Sequence, residues 1–416
     1  MRVCLPRLRK PVLARDVAVE QTTPLTGEPF SPVPYPEPRV PLHPVLSAGT
    51  LGFAGHVPSI LDAGHAIHTV SGRMALALAL DRLGIDGGAK VLLPAYHCLA
   101  LVEPIVRAGA IPVFYRVHRN LTVDLADIAA RAEGARALLA IHYFGFPQEM
   151  PALRELCDAH GMLLIEDCAH AFFGDFGGRP VGTIGDVAFA STWKFFPVQE
   201  GGCLIARGHA AGLIGPGIRY EAKSMVNALE SAWAAGRLPV LRGLFAPLAW
   251  LKNLLRDLLK RRTGAAALSG DVPTGSLAFD ESWLVRRASR FTRFVLAAAQ
   301  YRRIATRRRR HYARLLEAFQ GLPSTRIPFP ALPQGVVPYV FPLAVEDERV
   351  FPALKRRGVP ILRFGEFLWD GVDERTCPVA VEYSQQLLQF PCHQEMTPEE
   401  LNWIVAEVRE AILRGT

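Results

Sequence analysis

A carboxylate and a lysine follow two short apolar runs in the middle of the chain. The first run, 162–165, is followed closely by Asp167, and the second run, 187–190, leads to Lys194. Runs of this kind are typical of buried parallel strands, whose carboxyl ends form the ligand-binding edge of an α/β sheet. Lys194 lies between Trp193 and two phenylalanines. Such an apolar setting lowers the pKa of a lysine and makes its amine a usable nucleophile.

This pair of side chains suits chemistry with pyridoxal 5'-phosphate (PLP). In that chemistry the lysine forms a Schiff base with the cofactor, and the aspartate keeps the pyridine nitrogen protonated so that the ring accepts electrons. A structural alternative stays open at this point. Asp167 would then bond only to backbone groups, and Lys194 would extend past the aromatic rings toward solvent.

The order of the surrounding motifs resembles the DegT/StrS-type PLP-dependent nucleotide-sugar aminotransferases, a family of fold-type-I enzymes. The motifs that carry the resemblance are Glu166-Asp167-Cys168-Ala169-His170, Gly185-Asp186, Ser191-Thr192-Trp193-Lys194 and Glu200-Gly201-Gly202. The resemblance implies three catalytic residues, Lys194, Asp167 and His170. Lys194 forms the Schiff base and later carries a proton, Asp167 pairs with the pyridinium, and His170 lies against the ring. For His170 a buried core histidine is the alternative.

The resemblance also implies a set of cofactor-binding residues. The Ser71-Gly72 turn opens a predicted helix, where unpaired backbone N–H groups can bind a phosphate. Arg73 replaces the small hydroxyl residue that the family has next. Cys98 occupies the position of the family's stacking aromatic ring, beside Tyr96 and His97. The predicted cofactor-binding residues are Gly72, Arg73, Met74, Cys98, Asp167, His170, Ser191 and Lys194.

Strand and helix patterns alternate from about residue 65 to 205, which predicts an α/β fold with a mostly parallel sheet covered by helices. With the resemblance, this implies a fold-type-I PLP-dependent transferase with a smaller C-terminal α/β domain. The predicted divisions are an extended Pro-rich arm (1–44), the large PLP-binding domain core (45–208), a helical insertion (209–280), and a linking helix with the small C-terminal domain (281–416). One long linking helix is expected over 283–319, and a capping box at Thr397 and Glu400 opens the last helix.

The 416 residues carry a net charge of +8, much of it in one arginine-rich segment, 302–310. The favoured interpretation is a solvated helix face, ahead of a patch that attracts an anionic substrate. No nucleic-acid reader motif accompanies the charge, which argues against DNA or RNA binding. The seven cysteines lack zinc spacing and no apolar segment has the length of a membrane span. We therefore expect reduced thiols and a cytoplasmic protein.

A segment within the predicted insertion, 238–262, departs from the family. Leucines recur in it at helical spacing, while arginines and lysines take the other faces. Two interpretations stay open. The favoured one is packing on the same chain or on a dimer mate, and the other is weak contact with a membrane surface.

The resemblance implies a homodimeric PLP-dependent aminotransferase that moves an amino group from an amino acid, L-glutamate, to a nucleotide-linked keto sugar, as in polysaccharide biosynthesis. One alternative is a PLP-dependent sugar dehydratase. Deoxygenating relatives replace the lysine with histidine, so Lys194 argues against it. The other alternative is a divergent PLP-fold protein that binds a ligand or a membrane surface without catalysis.

Overall fold

A computed structural model describes residues 35–52, 55–206, 213–238 and 279–414. Most of the predicted N-terminal arm and almost all of the segment 238–262 lie outside these described residues. The two interpretations of that segment, packing on protein and contact with a membrane, therefore also fall outside them. None of the described helices is long and apolar enough to cross a membrane.

The described chain alternates between strands and helices over the predicted region. The strands are β1 (Ala66–Thr69), β2 (Lys90–Pro94), β3 (Ile111–Tyr115), β4 (Ala135–Ile141), β5 (Leu163–Asp167), β6 (Asp175–Phe176), β7 (Arg179–Pro180), β8 (Val187–Ser191), β9 (Gly202–Ile205), β10 (Thr325–Arg326), β11 (Val340–Val345), β12 (Leu362–Arg363) and β13 (Leu387–Pro391). The α-helices are α1 (Gly72–Arg82), α2 (Leu99–Arg107), α3 (Leu125–Arg131), α4 (Met150–His160), α5 (Ile218–Ala234), α6 (Arg290–Ala298), α7 (Tyr301–Phe319), α8 (Val350–Arg356), α9 (Pro378–Gln386) and α10 (Pro398–Leu413).

A seven-stranded sheet forms the centre of the fold, in the order β1-β9-β8-β5-β4-β2-β3. Strands β8, β5, β4, β2 and β3 run parallel, while β9 and β1 are antiparallel to their neighbours. The prediction of a mostly parallel sheet flanked by helices is therefore confirmed. In this sheet β5 and β8 are adjacent, and Asp167 pairs in register with Phe189. The carboxyl ends of both strands consequently lie at the same edge.

A second, antiparallel sheet with the order β10-β11-β13-β12 lies in the C-terminal part of the chain. Its apolar core joins Phe341 and Phe390 to side chains of α7 and α10, such as Phe319 and Ile404. Helix α10 begins as predicted. The Thr397 hydroxyl accepts a hydrogen bond from Glu400 N–H, and the Glu400 carboxylate accepts one from Thr397 N–H.

The predicted single helix over 283–319 is wrong, because two helices occupy this range. Helix α6 ends at Ala298, and α7 begins at Tyr301. Between them Ala299 is extended and pairs with Leu51 as an isolated β-bridge. The Gln300 N–H donates to the carbonyl of Thr50. Backbone pairing with an upstream segment thus replaces the helical hydrogen bonds at this point.

Glu166, next to Asp167, holds the segment 182–185 against strand β5. Its buried carboxylate accepts hydrogen bonds from the N–H groups of Gly182, Ile184 and Gly185 and from Nε2 of His142. The other ring nitrogen of His142 accepts from Gln148 N–H at 3.1 Å, so the proton is on Nε2. Burial raises the pKa of Glu166, but these donors outweigh it and hold the pKa below the usual 4.5.

We expect Glu166→Gln to lower the free energy of unfolding by about 2–4 kcal/mol near neutral pH, since buried donors lose a charged acceptor. A lowered carboxyl pKa stabilises the fold above the unfolded value of 4.5, and the contribution is lost as pH falls through the folded value. The difference between wild type and variant should therefore shrink in acid. Urea unfolding at several pH values measures it, with exposed Glu155→Gln as control. Equal losses in the two variants would contradict the prediction.

Candidate active site

Asp167 ends β5 and presents a buried carboxylate at the edge of the sheet, with 3% of its surface exposed. Its Oδ1 accepts a hydrogen bond from Ala169 N–H at 2.8 Å. No residue in the described ranges donates to Oδ2. Burial raises the pKa of Asp167 to about 6, against the opposing charge of Lys194. The carboxylate is therefore ready to accept a hydrogen bond from a cationic donor, which would hold it ionised.

Lys194 closes a single 3₁₀ turn, Thr192–Lys194, directly after β8. Its Nζ lies 5.4 Å from the ring centre of Tyr339 and 6.0 Å from that of Trp193. Burial lowers the pKa of this amine, while Cys98 and Asp167 act in the opposite direction. The structure thus brings together the amine and the carboxylate that the sequence singles out.

His170 is packed between aromatic rings beside the same lysine. Its ring stacks on Phe144 at 5.4 Å and on Tyr339 at 4.9 Å between centres. Its Nδ1 accepts a hydrogen bond from Phe144 N–H at 3.4 Å, which leaves the proton on Nε2. Burial, and then the charge of Lys194, hold the pKa of His170 well below its usual value. The imidazole is therefore neutral, with an N–H donor at Nε2.

The start of α1 approaches the end of β8 closely. A Cβ added to Gly72 would lie 3.2 Å from the Cβ of Ser191, so a larger side chain would crowd this contact. The N–H of Met74 already donates to the N-cap Ser71 hydroxyl at 3.3 Å. The Arg73 guanidinium lies 3.0 Å from the carboxylate of Glu103. The helix start and Ser191 therefore form one polar corner near Lys194.

Cys98 lies at the N-terminus of α2 and is half-buried. Burial raises the pKa of its thiol. The charges of Lys194 and Arg73 act to lower this pKa, and that of Asp167 acts to raise it. Its two neighbours have other partners. Tyr96 is buried against Tyr143 and Phe364, and His97 stacks on Phe114 at 4.9 Å. Of these three residues, Cys98 therefore has the closest electrostatic relation to the lysine.

Three further residues, which the sequence did not indicate, surround Lys194. His43 contacts the edge of Trp193 at 4.6 Å, and burial, Lys194 and Arg308 lower its pKa to about 3. Tyr339 stacks on His170, and Arg308 binds the backbone carbonyl of Lys194. No local motif marks His43 or Tyr339, since tertiary packing alone brings them to the site.

Arg308 corrects the prediction of a solvated arginine face. Arg302 and Arg310 are exposed as expected, but Arg308 has no exposed surface. The sequence signal that could have indicated the burial of Arg308 is its helical spacing. Arg308 shares a face of α7 with the buried residues Ile304 and Leu315. The run of arginines obscured the one that belongs to the apolar stripe.

The chain resembles known proteins in sequence and in fold. Residues 50–211 match the DegT/DnrJ/EryC1/StrS aminotransferase family. The chain is 37% identical over 161 residues to the GDP-perosamine synthase of Vibrio cholerae, covering 37% of this chain and 43% of that protein. It is 36% identical over 154 residues to the dTDP-3-amino-3,4,6-trideoxy-alpha-D-glucose transaminase of Streptomyces venezuelae, covering 36% of this chain and 40% of that protein. The chain thus spans less than half the length of these two relatives.

The fold likeness extends further along the chain than these sequence matches. The crystal structure of S. venezuelae DesV superposes with a TM-score of 0.59 at 24% identity, covering 86% of this chain and 88% of that one. Over residues 50–211 the chain is therefore similar in sequence to the DegT/DnrJ/EryC1/StrS aminotransferase family, and the likeness in fold extends over most of its length.

Proposed function

We propose that this protein is a PLP-dependent aminotransferase that moves an amino group from L-glutamate to a nucleotide-linked keto sugar. The observation that carries the proposal is the placement of a buried carboxylate, Asp167, and an amine of lowered pKa, Lys194, at the carboxyl ends of adjacent parallel strands. The family match over residues 50–211 supports the same reaction class. One relative is named for GDP-perosamine and another for a dTDP-linked amino sugar, which supports a nucleotide-linked acceptor.

The residues present fit PLP. Oδ2 of Asp167, which no described residue occupies, can accept a hydrogen bond from the pyridine nitrogen, and Lys194 supplies the amine. The start of α1, an eleven-residue helix, and the Ser191 hydroxyl are suited to a phosphate. His170 and Cys98 are the residues proposed to lie against the ring. When bound, PLP supplies an aldehyde that attaches amines covalently and a ring that accepts electrons.

Lys194, Asp167 and His170 would have different roles in the proton transfers. Lys194, with its lowered pKa, has a larger uncharged share than an exposed lysine, so it can attack as a nucleophile and accept a proton as a base. Asp167 holds a positive charge on the group facing it. His170 stays neutral and contributes a ring face and an N–H donor. Asp167 and His170 are buried and Lys194 is half-buried, which limits the access of water to the proton transfers.

Charge and thiol chemistry support the proposed substrates and compartment. A net charge of +8 favours the approach of anionic nucleotide phosphates. The cysteines in the described ranges are all free thiols, which supports a reducing compartment, and we propose the cytoplasm.

An absorbance titration tests the proposed function. Purified protein with PLP should show a long-wavelength band that L-glutamate removes and that D-glutamate leaves in place. A nucleotide-linked keto sugar should then restore the band, because the amino group leaves with the sugar. A protein that binds PLP but keeps its band in L-glutamate would instead be the non-catalytic alternative.

We also propose that the protein is a homodimer. Helix α5 presents Ile218, which is 86% exposed, together with Met225 and Val226, and Phe294 of α6 is 56% exposed. Apolar side chains exposed on neighbouring helices of a folded chain favour burial against a partner. A second copy of this chain is the occupant we propose.

Light scattering should give twice the 45.7 kDa chain mass. Ile218→Arg should weaken self-association at least about tenfold, because it places a charge in a desolvated contact. Ile111→Arg, at an exposed site on the edge strand β3, is the matched control. A dimer that dissociates equally in both variants, or in neither, would show that α5 is not in the interface.

A further inference from the structure

Arg308 stands out among the arginines of the described chain because it is the fully buried one. It lies on α7, in the C-terminal half of the sequence, yet its side chain ends against the turn that carries Lys194. Its Cζ lies 4.5 Å from the ring centre of Phe195, the residue after the lysine. A residue more than a hundred positions away therefore forms one wall of the lysine turn.

The guanidinium donates to four neutral oxygens on three separate segments. It reaches the carbonyl of Lys194 at 2.9 Å, the carbonyls of Tyr339 and Pro338 at 2.8 and 3.2 Å, and Oε1 of Gln394 at 3.0 Å. Gln394 in turn donates to the carbonyl of Phe195 at 2.9 Å. All three guanidinium nitrogens are thus engaged: the two terminal ones hold main-chain carbonyls, and Nε holds the Gln394 side chain.

No described carboxylate pairs with Arg308. Glu395, next to Gln394, is held instead by two hydrogen bonds from Arg303. Burial lowers the pKa of Arg308 to about 10, so it stays charged near neutral pH. A buried cation without a counter-ion is costly, and an apolar residue would pack there at lower cost. What a guanidinium offers is a rigid, planar set of donors, which a lysine ammonium does not reproduce.

Two of the three segments that Arg308 joins lie at the lysine amine. One carries Lys194 itself. Another carries Tyr339, whose ring lies 5.4 Å from Nζ of Lys194 and stacks on His170. A shift of either segment would change the depth at which the amine is buried. The titratable or charged groups around this amine are His43, Cys98, Asp167, His170, Arg308 and Tyr339.

We propose that Arg308 is a positioning residue that fixes the main chain of Lys194 and Tyr339 and so keeps the lysine amine desolvated. The importance of this role for catalysis rests on the proposed function. The hydrogen bonds and packing of Arg308 are independent of that function. Arg308 has no exposed surface and acts through the backbone of these residues rather than on a substrate.

Trace labelling with acetic anhydride tests the role in the full-length protein without added PLP. Acetylation of Lys194, measured by peptide mass spectrometry across pH, gives the midpoint at which its amine becomes reactive. We compare Arg308→Met, which removes the donors, and Arg308→Lys, which retains a cation but not the fork. Arg309→Met is the matched control, because Arg309 also binds backbone carbonyls, those of Pro333 and Val336, away from the lysine.

In both Arg308 variants the pH midpoint of Lys194 acetylation should rise by about one pH unit. At pH values below the midpoint, the uncharged fraction of the amine would then be about tenfold smaller. Arg309→Met should leave the midpoint unchanged. Gln394→Leu, which removes one bond from Arg308 and one from Phe195, should shift it by a smaller amount in the same direction. This variant keeps the test decisive if Arg308→Met does not fold, as judged by circular dichroism and thermal melting.

Folded Arg308→Lys and Gln394→Leu proteins with the wild-type midpoint would overturn the proposal. A midpoint shift confined to Arg308→Met would also overturn it, since charge rather than hydrogen-bond geometry would then be responsible. The labelling does not involve PLP. If PLP attaches to another lysine, the proposed function fails while the midpoint shifts still stand, so the two failures can be told apart.

Discussion

Lys194→Ala is expected to reduce transamination by at least about 10⁴-fold, because the lysine is both the proposed nucleophile and the proposed proton carrier. The fold should persist. Lys194 is half-buried and gains no hydrogen bond through its amine from the described residues, so the free energy of unfolding should change by no more than about 1 kcal/mol. Single-turnover kinetics and urea unfolding measure the two effects.

Lys90→Ala is the matched control for this variant. Lys90 is exposed at the amino end of β2, on the opposite edge of the same sheet. It should keep wild-type rates. A Lys194→Ala enzyme that still turns over L-glutamate and a keto sugar would contradict the role assigned to this lysine.

Asp167→Asn should lower the rate of the amino-transfer half-reaction by about a hundredfold or more, a few kcal/mol of transition-state stabilisation. An amide cannot keep a positive charge on the pyridine nitrogen, whereas the cofactor would still be held by its phosphate and by Lys194. The affinity for PLP should therefore fall much less than the rate. Stopped-flow absorbance with L-glutamate gives both values.

Asp186→Asn is a useful comparison, because Asp186 accepts hydrogen bonds from Leu164 N–H and Arg154 at the start of β5. It should lower stability without changing the rate constant. Near-normal turnover in Asp167→Asn would leave Asp167 as a structural residue that bonds only to Ala169 N–H.

The sequence predicts the central part of this molecule well for a physical reason. The strands around Asp167 and Lys194 are buried on both faces, so they appear as uninterrupted apolar runs, and the polar residue after each run marks its carboxyl end. The capping box at Thr397 is equally local, since both partners lie within one helical turn. Such features depend on neighbours in the sequence and can be predicted from it.

What the sequence did not predict depends on contacts between distant segments. The break between α6 and α7 arises because residues 50–52 pair with the backbone around Ala299. The burial of Arg308 arises because carbonyls from two other segments and the amide of Gln394 meet at one point. His43 reaches Trp193 from the N-terminal side of the domain. The spacing of residues within a single helix or strand cannot predict these contacts between distant segments.

The identity of the lysine that binds PLP is the central claim, and borohydride reduction tests it most directly. Protein loaded with PLP is reduced, digested and mapped by mass spectrometry, with an unreduced sample as control. The account predicts that the stable pyridoxyl group is found on the peptide containing Lys194, and that Lys194→Ala protein acquires none. A pyridoxyl group on another lysine, or its retention in the Lys194→Ala variant, would contradict the assignment.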